Sequence, residues 1–487
     1  MKKSSKLLTK SISAVLIFML VLTAVLPTAG LSVSAAEAKG RIYYAKEYYD
    51  SHKKLCDEVV NALKSFEEEI YIVDYDVTQE DVEDLYYFAL YTNPDLFYVD
   101  LQFSYCLNQA TGYIIYLSPI YLYTKAEVAE KKIEIDKKAS EYLSKINDDM
   151  TDFQKAMILH DEIVLNSEYS DGATLYDLIV GGKGKCSAYS ITYSYLLSLV
   201  GINTEIVTSD SMNHEWNKVE IDGKYYNVDL TWDDPLPDKL GKVNHKNFLL
   251  SDAAFESGNN GKGIEHSDFD KAYFKATSTK YDGYDVMHAI NTKFCFADNS
   301  FYCIDNQYES KYEKCLLKYN EANDTVKALH WFDAYWRASE TSYWAGGHSS
   351  LDEYDEVLYC NTDDEIYCYD VETQKLNKFE TSLKLNGKCY GLVIRDKKLY
   401  AVIADNPNVT GTLQYAGDCI LKAPVYETGD VDRNGKVSIQ DVTLIQKYAA
   451  GCTSLDSEQL LIADADGNGT VNVSDATYIQ KMLVSAA

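Results

Sequence analysis

Basic residues are scarce in this sequence. Lysine and arginine together number 46 against 75 aspartates and glutamates, which gives a formal net charge of −29 at pH 7. Proteins that bind nucleic acid present a basic face to the phosphate groups. The charge balance therefore excludes nucleic acid as a principal partner of this chain.

Long apolar runs are also absent beyond the N-terminus. The one marked run, residues 14–26, follows four lysines and precedes a Ser-Ala-Ala stretch that ends at Ala36. A membrane-spanning helix needs roughly 20 apolar residues, so this run is too short to be one. The pattern predicts a secretory signal peptide over residues 1–36, and hence a secreted protein with no membrane span.

The cysteines do not form a recognisable framework. There are 11 of them, and an odd count excludes complete disulfide pairing. Seven lie in one region with neither the CxxC spacing of a zinc site nor the compact pattern of a disulfide scaffold: Cys295, Cys303, Cys315, Cys360, Cys368, Cys389 and Cys419. We expect these seven to be small core residues on strands.

The C-terminal part of the chain contains one loop pattern twice. Oxygen-bearing side chains stand at positions 1, 3, 5, 9 and 12, and a glycine at position 6, in loops that begin at Asp430 and Asp464. Ca²⁺ takes six to eight oxygen ligands, and this spacing wraps a chain around one ion. The predicted ligands are Asp430, Asp432, Asn434, Lys436, Ser438 and Asp441 in the first loop, and Asp464, Asp466, Asn468, Thr470, Asn472 and Asp475 in the second.

Two departures distinguish these loops from an EF-hand. Position 12 is aspartate rather than a bidentate glutamate, and no helix pattern precedes the first loop. Each loop is followed by a helix pattern with the same Ile-Gln-Lys triplet, at residues 445–447 and 479–481. On these features, residues 429–485 resemble a type I dockerin, the calcium-binding module that attaches an enzyme to the cohesin of a scaffold.

The dockerin resemblance implies two bound Ca²⁺ ions, a cohesin domain of a scaffoldin as partner, and a place in an extracellular, cell-surface cellulosome. The duplicated module would present two similar surfaces to cohesin. The residues expected there are Ile439, Gln440, Gln446 and Lys447 in the first half, and Val473, Ser474, Gln480 and Lys481 in the second.

A cysteine at a predicted helix start is the first candidate for chemistry. Cys186 follows a Gly-Gly-Lys-Gly-Lys stretch and opens an apolar helix pattern that Gly201 ends. A thiol at a helix N-terminus lies at the positive end of the dipole, which favours the nucleophilic thiolate. A lone cysteine is more often a core residue, so the residues downstream decide between the two interpretations.

The downstream residues predict a hairpin that brings a base and an acid together. Two strand patterns flank Asp222-Gly223, the strongest short hairpin signal. A two-residue loop there makes paired residue numbers sum to 445, so His214 and Asp229 become diagonal neighbours on one face. Such neighbours lie about 7–8 Å apart at the backbone, within reach of a hydrogen bond between their side chains.

Together these groups provide what nucleophilic catalysis requires. The imidazole of His214 would accept the proton of the Cys186 thiol and later protonate a leaving amine, while Asp229 would hold the ring in the right tautomer. The backbone N–H of Cys186 at the helix start would meet the developing oxyanion.

Three linked motifs in this region resemble the bacterial transglutaminase-like superfamily. They are Gly-Lys-Cys-Ser-Ala-Tyr at 184–189, His-Glu-Trp-Asn at 214–217, and Tyr-Tyr-Asn-Val-Asp-Leu-Thr-Trp-Asp-Asp-Pro at 225–235. The resemblance covers about residues 150–250. It implies a papain-like fold with Cys186, His214 and Asp229 as the catalytic residues, and no cofactor for catalysis. The family commonly has alanine where Glu215 stands, which puts an acid beside the site.

Other polar residues near these motifs are expected to support the structure. His160, His245 and His266 are predicted to be structural or surface residues. The run Trp232-Asp233-Asp234 could hold a metal ion, but a turn that closes the core is favoured.

The predicted fold class is α+β. The boundaries are an N-terminal α+β region over 37–148, a transglutaminase-like catalytic domain over 149–275, a β-rich accessory domain over 281–424, and a small α-helical calcium-binding dockerin over 429–485. The short strands of the accessory domain faintly resemble propeller blades, but they are too few to close a propeller of ordinary size.

The predicted function is acyl transfer on an amide of a protein or peptide. Water as the second substrate would make the chain a cysteine peptidase or amidase, and a lysine amine would make it a crosslinking enzyme. Hydrolysis is favoured because the sequence has no evident amine-binding feature. The alternative is a non-catalytic binding or adhesion module of a polysaccharide-degrading complex. A glycoside hydrolase is suggested only by the docking module, and the sequence has no paired-carboxylate pattern to support one.

Overall fold

The computed structural model of the chain describes residues 38–238, 241–257, 266, 272–305, 314–337, 343–345, 347–406, 411–420, 428–455 and 457–485. The predicted signal peptide over residues 1–36 lies outside the described residues. Within the described part of the chain, no helix has the length and apolar character needed to span a membrane.

The described residues form a mixed α+β structure, as predicted. The helices are α1 (Lys46–Ser65), α2 (Val82–Tyr91), α3 (Lys125–Leu143), α4 (Asp152–Leu165), α5 (Leu175–Ile179), α6 (Cys186–Leu199), α7 (Leu230–Asp233), α8 (Asp252–Glu256), α9 (Asp285–Ala289), α10 (Ile439–Ala449), α11 (Ser457–Ala463) and α12 (Val473–Ser485).

The strands are short, and most lie in the second half of the chain. They are β1 (Ile42–Tyr43), β2 (Ile70–Tyr71), β3 (Val99–Leu107), β4 (Ile114–Tyr121), β5 (Glu168–Tyr169), β6 (Lys183–Gly184), β7 (Thr204–Ser209), β8 (His214–Ile221), β9 (Lys224–Val228), β10 (Cys295–Ala297), β11 (Ser300–Asp305), β12 (Cys315–Asn320), β13 (Thr325–Trp331), β14 (Tyr335–Arg337), β15 (Tyr343–Ala345), β16 (Leu351–Tyr354), β17 (Val357–Asn361), β18 (Ile366–Asp370), β19 (Lys375–Lys378), β20 (Cys389–Arg395), β21 (Lys398–Ile403) and β22 (Thr412–Asp418).

A four-stranded sheet in the order β1-β7-β8-β9 positions the candidate site. Strands β7, β8 and β9 form an antiparallel meander, and β1 adds to β7 in parallel. Helix α6 lies on this sheet, where the buried Asn217 amide of β8 donates to the Ser190 carbonyl and the Ser194 hydroxyl, each at 2.9 Å. Because a buried amide without partners is costly, these bonds fix α6 against β8.

The strand β1 comes from the N-terminal region but belongs to this central sheet. Ile42 pairs with Thr204 and Tyr43 with Glu205. A Cβ at Gly40 would lie 2.4 Å from the Ile202 carbonyl oxygen, so only glycine allows the chain to approach so closely.

One continuous hydrophobic core runs from the N-terminal helices through the central sheet to the first β-rich sheet. Leu63 of α1, Tyr193 of α6, Val219 of β8 and Phe301 of β11 are all members of it. The N-terminal helices therefore stabilise the same unit that holds the candidate site.

The β-rich region consists of consecutive up-and-down sheets. Strands β10–β13 and β16–β19 form two four-stranded sheets, β20–β22 form a three-stranded one, and β14 pairs with β15. The seven cysteines of the region are all buried and free of disulfides. Six lie on strands, and Cys419 directly follows β22, so the expectation of small core residues is confirmed.

A buried lysine joins the β-rich region to the helical layer. The ammonium group of Lys293 lies 2.6 Å from a carboxylate oxygen of Glu162 in α4 and 2.6 Å from one of Asp352 in β16. Next to it, the Phe294 backbone N–H donates to the Asp161 carboxylate at 2.7 Å. Charge pairing at a buried junction ties the two regions together.

The C-terminal helices enclose a small core of their own. It includes Val442 and Ile445 of α10, Ile462 of α11, and Ala476 and Ile479 of α12. Ile445 and Ile479 are both fully buried. They stand at the same place in the two repeats, so the duplication in sequence is also a duplication in packing.

Candidate functional site

Cys186 is the first residue of the 14-residue helix α6 and is partly buried. The segment before it is held by a two-residue parallel pairing of β5 with β6, and by a bond from the Lys185 N–H to the Gly172 carbonyl at 2.7 Å. A Cβ at Gly184 would lie 2.5 Å from the Ala188 Cβ. The glycine therefore lets the chain pass directly over the first turn of the helix that carries the thiol.

The hairpin of β8 and β9 has the predicted register. Asn217 pairs with Val228 and Ile221 with Lys224, so paired residue numbers sum to 445. The two turn residues, Asp222 and Gly223, have φ angles of 52° and 72°, which are the left-handed values that this type of tight turn requires.

The hairpin brings His214 and Asp229 into contact, both buried. The Nε2 atom of His214 donates to Oδ2 of Asp229 at 2.7 Å. The other oxygen of Asp229, Oδ1, accepts from the Trp232 backbone N–H at 3.0 Å and so caps the short helix α7. The Trp232 ring stacks on the imidazole with ring centres 5.0 Å apart. Both ring orientation and carboxylate orientation are therefore fixed.

The Cys186 thiol lies close enough to the His214 ring to influence its protonation. Since Asp229 occupies Nε2, the nitrogen left for the thiol is Nδ1. Burial alone would lower the pKa of His214, but the charge of Asp229 and its hydrogen bond, with a smaller contribution from Cys186, raise that pKa to about 10. The imidazole is thus held as a proton-bearing cation beside the thiol at the start of α6.

His266 also binds Asp229. Its Nε2 atom lies 3.0 Å from Oδ2, the same oxygen that His214 uses. The side chain is buried, so the histidine is not at the surface, and its contact with Asp229 was not predicted. It stands outside the three motifs, 37 residues from its partner, and no local pattern in the sequence signals the contact.

Tyr169 is a second neighbour that the motifs did not indicate. It pairs with Gly184 in the β5–β6 ladder, its side chain is 41% exposed, and burial together with the charge of Cys186 raises its pKa. Tyr169 therefore lies near enough to Cys186 to sense its charge.

Glu215 lies beside His214 but faces the helical layer. Its Oε1 accepts from the Tyr91 hydroxyl at 2.8 Å. Burial of the carboxyl raises its pKa to about 7, although the Tyr91 bond and the charges of His214 and Lys185 act in the opposite direction. The acid expected beside the site is therefore an internal contact to α2.

His160 and His245 lie in a buried hydrogen-bond network with Asp161 and Asp233. His160 bonds to Asp161 at 2.9 Å and to Asp233 at 3.2 Å, and His245 bonds to Asp161 at 2.8 Å. Asp233 also accepts from the Asn247 amide. The Trp-Asp-Asp run thus ends the short helix α7 and closes the core, rather than presenting free carboxylates to a metal ion.

The two C-terminal loops have matching internal geometry. The Gly435 N–H donates to Asp430 at 2.9 Å, and the Gly469 N–H donates to Asp464 at 2.8 Å. The φ angles of these glycines are 85° and 83°. Position 12 behaves alike in both loops, since the N–H at position 3 donates to Asp441 in the first and to Asp475 in the second.

Both loops fit a hard cation. In each, carboxylate oxygens from positions 1, 3 and 12 lie within 4.8 Å of one another: Asp430, Asp432 and Asp441 in the first, and Asp464, Asp466 and Asp475 in the second. Oδ1 of Asp464 is buried and has no hydrogen-bond partner among the described residues. An all-oxygen donor set with such an atom suits Ca²⁺.

The residues expected to face cohesin are on the surface of the C-terminal region. Ile439 is 59% exposed and its repeat partner Val473 is 60% exposed. The polar positions, also exposed, are Gln440, Gln446, Lys447, Ser474, Gln480 and Lys481.

Comparison with known proteins identifies one part of the chain. Residues 428–484 match the family model of the dockerin type I domain. A search of curated proteins finds no match.

Similar solved structures share little with this chain. A TGase is 14% identical over 27% of this chain and 44% of that chain, with a TM-score of 0.19. The extracellular domain of the one component system BT4673 from B. thetaiotaomicron is 10% identical over 46% of this chain and 22% of that chain, with a TM-score of 0.17. The chain spans less than half the length of either.

The paired loops, their matching hydrogen bonds and the family match lead to one conclusion. Residues 428–484 match the type I dockerin family. Modules of this family bind calcium, and their presence implies attachment to a cohesin of a cellulosome-type complex.

Proposed function

We propose that the chain is a secreted cysteine acyl-transfer enzyme of the transglutaminase-like type, with a papain-like catalytic domain over residues 149–275 and Cys186, His214 and Asp229 as its catalytic residues. The dockerin attaches it to the scaffoldin of a cell-surface cellulosome. The signal peptide over residues 1–36 exports it.

One observation supports this proposal above the others. A thiol at the start of a 14-residue helix contacts an imidazole whose second nitrogen is bonded to a buried carboxylate at 2.7 Å. An acyl transfer of this kind needs a nucleophile, a base beside it, and an acid that orients the base.

The first half of the reaction would form a thioester. The Cys186 thiolate attacks the amide carbonyl carbon and forms a C–S bond, while the backbone N–H groups at the start of α6 stabilise the oxyanion. The C–N bond then breaks, and the His214 Nδ1 proton passes to the leaving amine.

The second half would release the acyl group. Neutral His214 takes a proton from the incoming water, whose oxygen attacks the thioester carbon. The C–S bond breaks, the carboxylic acid leaves, and the thiolate and imidazolium are restored. A lysine amine in place of water would leave a new amide instead. We favour water, because the thiol is partly exposed and water needs no dedicated binding site.

The test compares wild type with Cys186→Ala on a protein substrate. We expect release of amine or peptide only from wild type, together with an acyl adduct on residue 186 detected by mass spectrometry. The matched control is Cys106→Ala, which removes another partly buried free thiol and should leave activity unchanged. Equal turnover by wild type and Cys186→Ala would favour the alternative, a non-catalytic binding module of the complex.

A further inference from the structure

The Asp229 carboxylate is held from three sides. Its Oδ1 accepts from the Trp232 N–H at 3.0 Å, and its Oδ2 accepts from His214 at 2.7 Å and from His266 at 3.0 Å. Two imidazoles therefore share a single oxygen of the same acid. The proposed reaction uses only one of them.

The His266 ring is fixed in place by aromatic side chains. It stacks on Phe255 with ring centres 4.1 Å apart and an interplanar angle of 23°. Trp232 lies 4.2 Å away at a tilt, and Trp216 meets it edge-on at 4.9 Å. The backbone N–H of His266 also donates to the Phe255 carbonyl at 3.2 Å. These contacts hold the ring in the orientation that places its Nε2 atom 3.0 Å from Oδ2 of Asp229.

We infer that His266 is a positioning residue for the proposed acyl transfer. It holds the Asp229 carboxylate in the orientation that accepts the hydrogen bond from His214. The inference rests on the proposed function. His266 touches neither the thiol nor the reacting carbonyl in this role, so its effect reaches the reaction through Asp229 and the His214 ring.

The hydrogen bond from His266 has two physical consequences. It restrains rotation of the Asp229 carboxyl group, which keeps the His214 ring aimed at the thiol. It also draws electron density from Oδ2, which weakens the hold of Asp229 on the His214 proton. Loss of the bond should therefore reduce the rate at a given pH and, at the same time, raise the pH at which His214 loses its proton.

Four titratable groups near His214 can influence the pH at which its ring loses a proton. Asp229 and Cys186 contact its ring, Glu215 is adjacent along β8, and His266 reaches it through Asp229. Of these, only the bond from His266 is changed by the variants below, so a shift of the His214 proton loss reports on that bond.

The experiment measures alkylation of Cys186 by iodoacetamide in the full-length protein as a function of pH. His266→Phe keeps an aromatic ring for the stack and removes the donor, whereas His266→Gln keeps an amide N–H donor. Relative to wild type, we expect His266→Phe to slow alkylation at neutral pH by roughly ten- to a hundredfold, the range expected for one hydrogen bond to a charged group. In His266→Phe the alkaline limb of the plot of alkylation rate against pH should move to higher pH. His266→Gln should return both the rate and the position of this limb most of the way to the wild-type values.

The outcomes separate the inference from the proposed function. If Cys186 of the wild-type protein reacts no faster than a free cysteine, the proposed function fails and this inference with it. If wild type is reactive and a folded His266→Phe has the same rate and the same alkaline limb, the inference alone is overturned. Loss of the folded state in both variants, seen by circular dichroism, would also overturn it, since His266 would then be a structural residue.

Discussion

At the scale of single residues, Asp229 accepts hydrogen bonds from three neighbours with its two oxygens. Oδ1 caps α7 through Trp232, and Oδ2 holds the imidazoles of His214 and His266. Burial would raise the pKa of Asp229, but the charge of His214 and the bonds from both histidines hold it well below its usual range. These interactions therefore favour the ionised carboxylate.

The first prediction concerns this charge. Asp229→Asn keeps Oδ1 for the cap but removes the negative charge, so the pKa of His214 should fall and the thiolate should lose its cation. We expect alkylation of Cys186 at neutral pH to slow on the order of a hundredfold or more, as for loss of a positioned base. Asp222→Asn, at the exposed hairpin turn, is the matched control and should react like wild type. Equal rates for both variants would remove Asp229 from the proposed mechanism.

The second prediction concerns His160. Burial lowers its pKa, but Asp161 and Asp233 outweigh burial and raise it from 6.5 to about 9. The stabilisation is fully present below pH 6.5 and is lost as pH rises to about 9. The melting temperature of wild type should therefore fall across this window. His160→Gln should melt lower at pH 6 but show a shallower fall, and parallel curves for the two proteins would contradict the linkage.

Residues within one short motif could be predicted from the sequence, whereas residues that act across the fold could not. Cys186 was found because it opens a helix, and Asp229 because turn chemistry fixes the register with His214. Tyr169 and His266 reach the same site through contacts that depend on how the elements pack. Their local sequence contains no periodic pattern or turn signal that would distinguish them from other aromatic residues.

At the scale of the elements, the approach of the chain to α6 decides where the thiol lies. A Cβ at Gly184 would meet the Ala188 Cβ at 2.5 Å and a Leu178 methyl at 3.0 Å. Both neighbours are buried side chains, so the β6 segment or the helix start would have to move. The distance between the thiol and the imidazole depends on this glycine.

The third prediction follows from that contact. Gly184→Ala should destabilise the fold by about 1–3 kcal/mol through overpacking and should slow Cys186 alkylation. Gly283→Ala is the matched control, because a Cβ there would meet no atom within 4 Å. Thermal melts and alkylation rates measure the two effects. A Gly184→Ala protein that reacts like the control would show that the helix start tolerates the methyl group.

The fourth prediction concerns the two calcium loops. Asp441 and Asp475 stand at position 12 of their loops and are both fully buried. Asp441→Ala or Asp475→Ala alone should reduce the calcium stoichiometry from two ions to one, and the double variant should bind none. Isothermal titration of the chelator-treated protein gives the count. A single variant that retains two ions would mean that position 12 is not a ligand.

Elements were predictable where a local rule sets their geometry. The Asp-Gly turn predicted the β8–β9 register, and the repeated loops predicted the helices α10 and α12 that follow them. The pairing of β1 with β7 followed no such rule, since a two-residue strand has no periodicity to detect. The assignment of the β-rich sheets was likewise coarse, because their strands are short and their cysteines and tyrosines alternate irregularly.

At the scale of the whole molecule, Lys293 is the charged link between the helical layer and the β-rich region. It lies between Glu162 and Asp352 with little exposure to solvent. These two carboxylates raise its pKa well above the usual range, although burial alone would lower it. Lys145 lies farther away, 4.0 Å from Glu162, so Lys293 is the nearer of two cations that balance the two anions.

The fifth prediction tests this junction. Lys293→Met removes the nearest cation from two buried carboxylates and should destabilise the protein by about 3–5 kcal/mol. Urea unfolding followed by circular dichroism measures the change. The matched control is Lys388→Met, which breaks an exposed pair with Asp405 and should leave the transition unchanged. A small effect at Lys293 would mean that water reaches the junction and solvates the acids.

The strand β1 has a practical consequence for recombinant production. Its two residues cover the free side of β7, and the Arg41 carbonyl accepts from the Thr204 N–H at 2.9 Å. A shortened polypeptide that starts beyond Tyr43 would leave the hydrogen-bonding groups of β7 bare. An exposed edge strand can pair with the edge strand of another molecule. The shortened protein should therefore aggregate even though every residue around the thiol is still present.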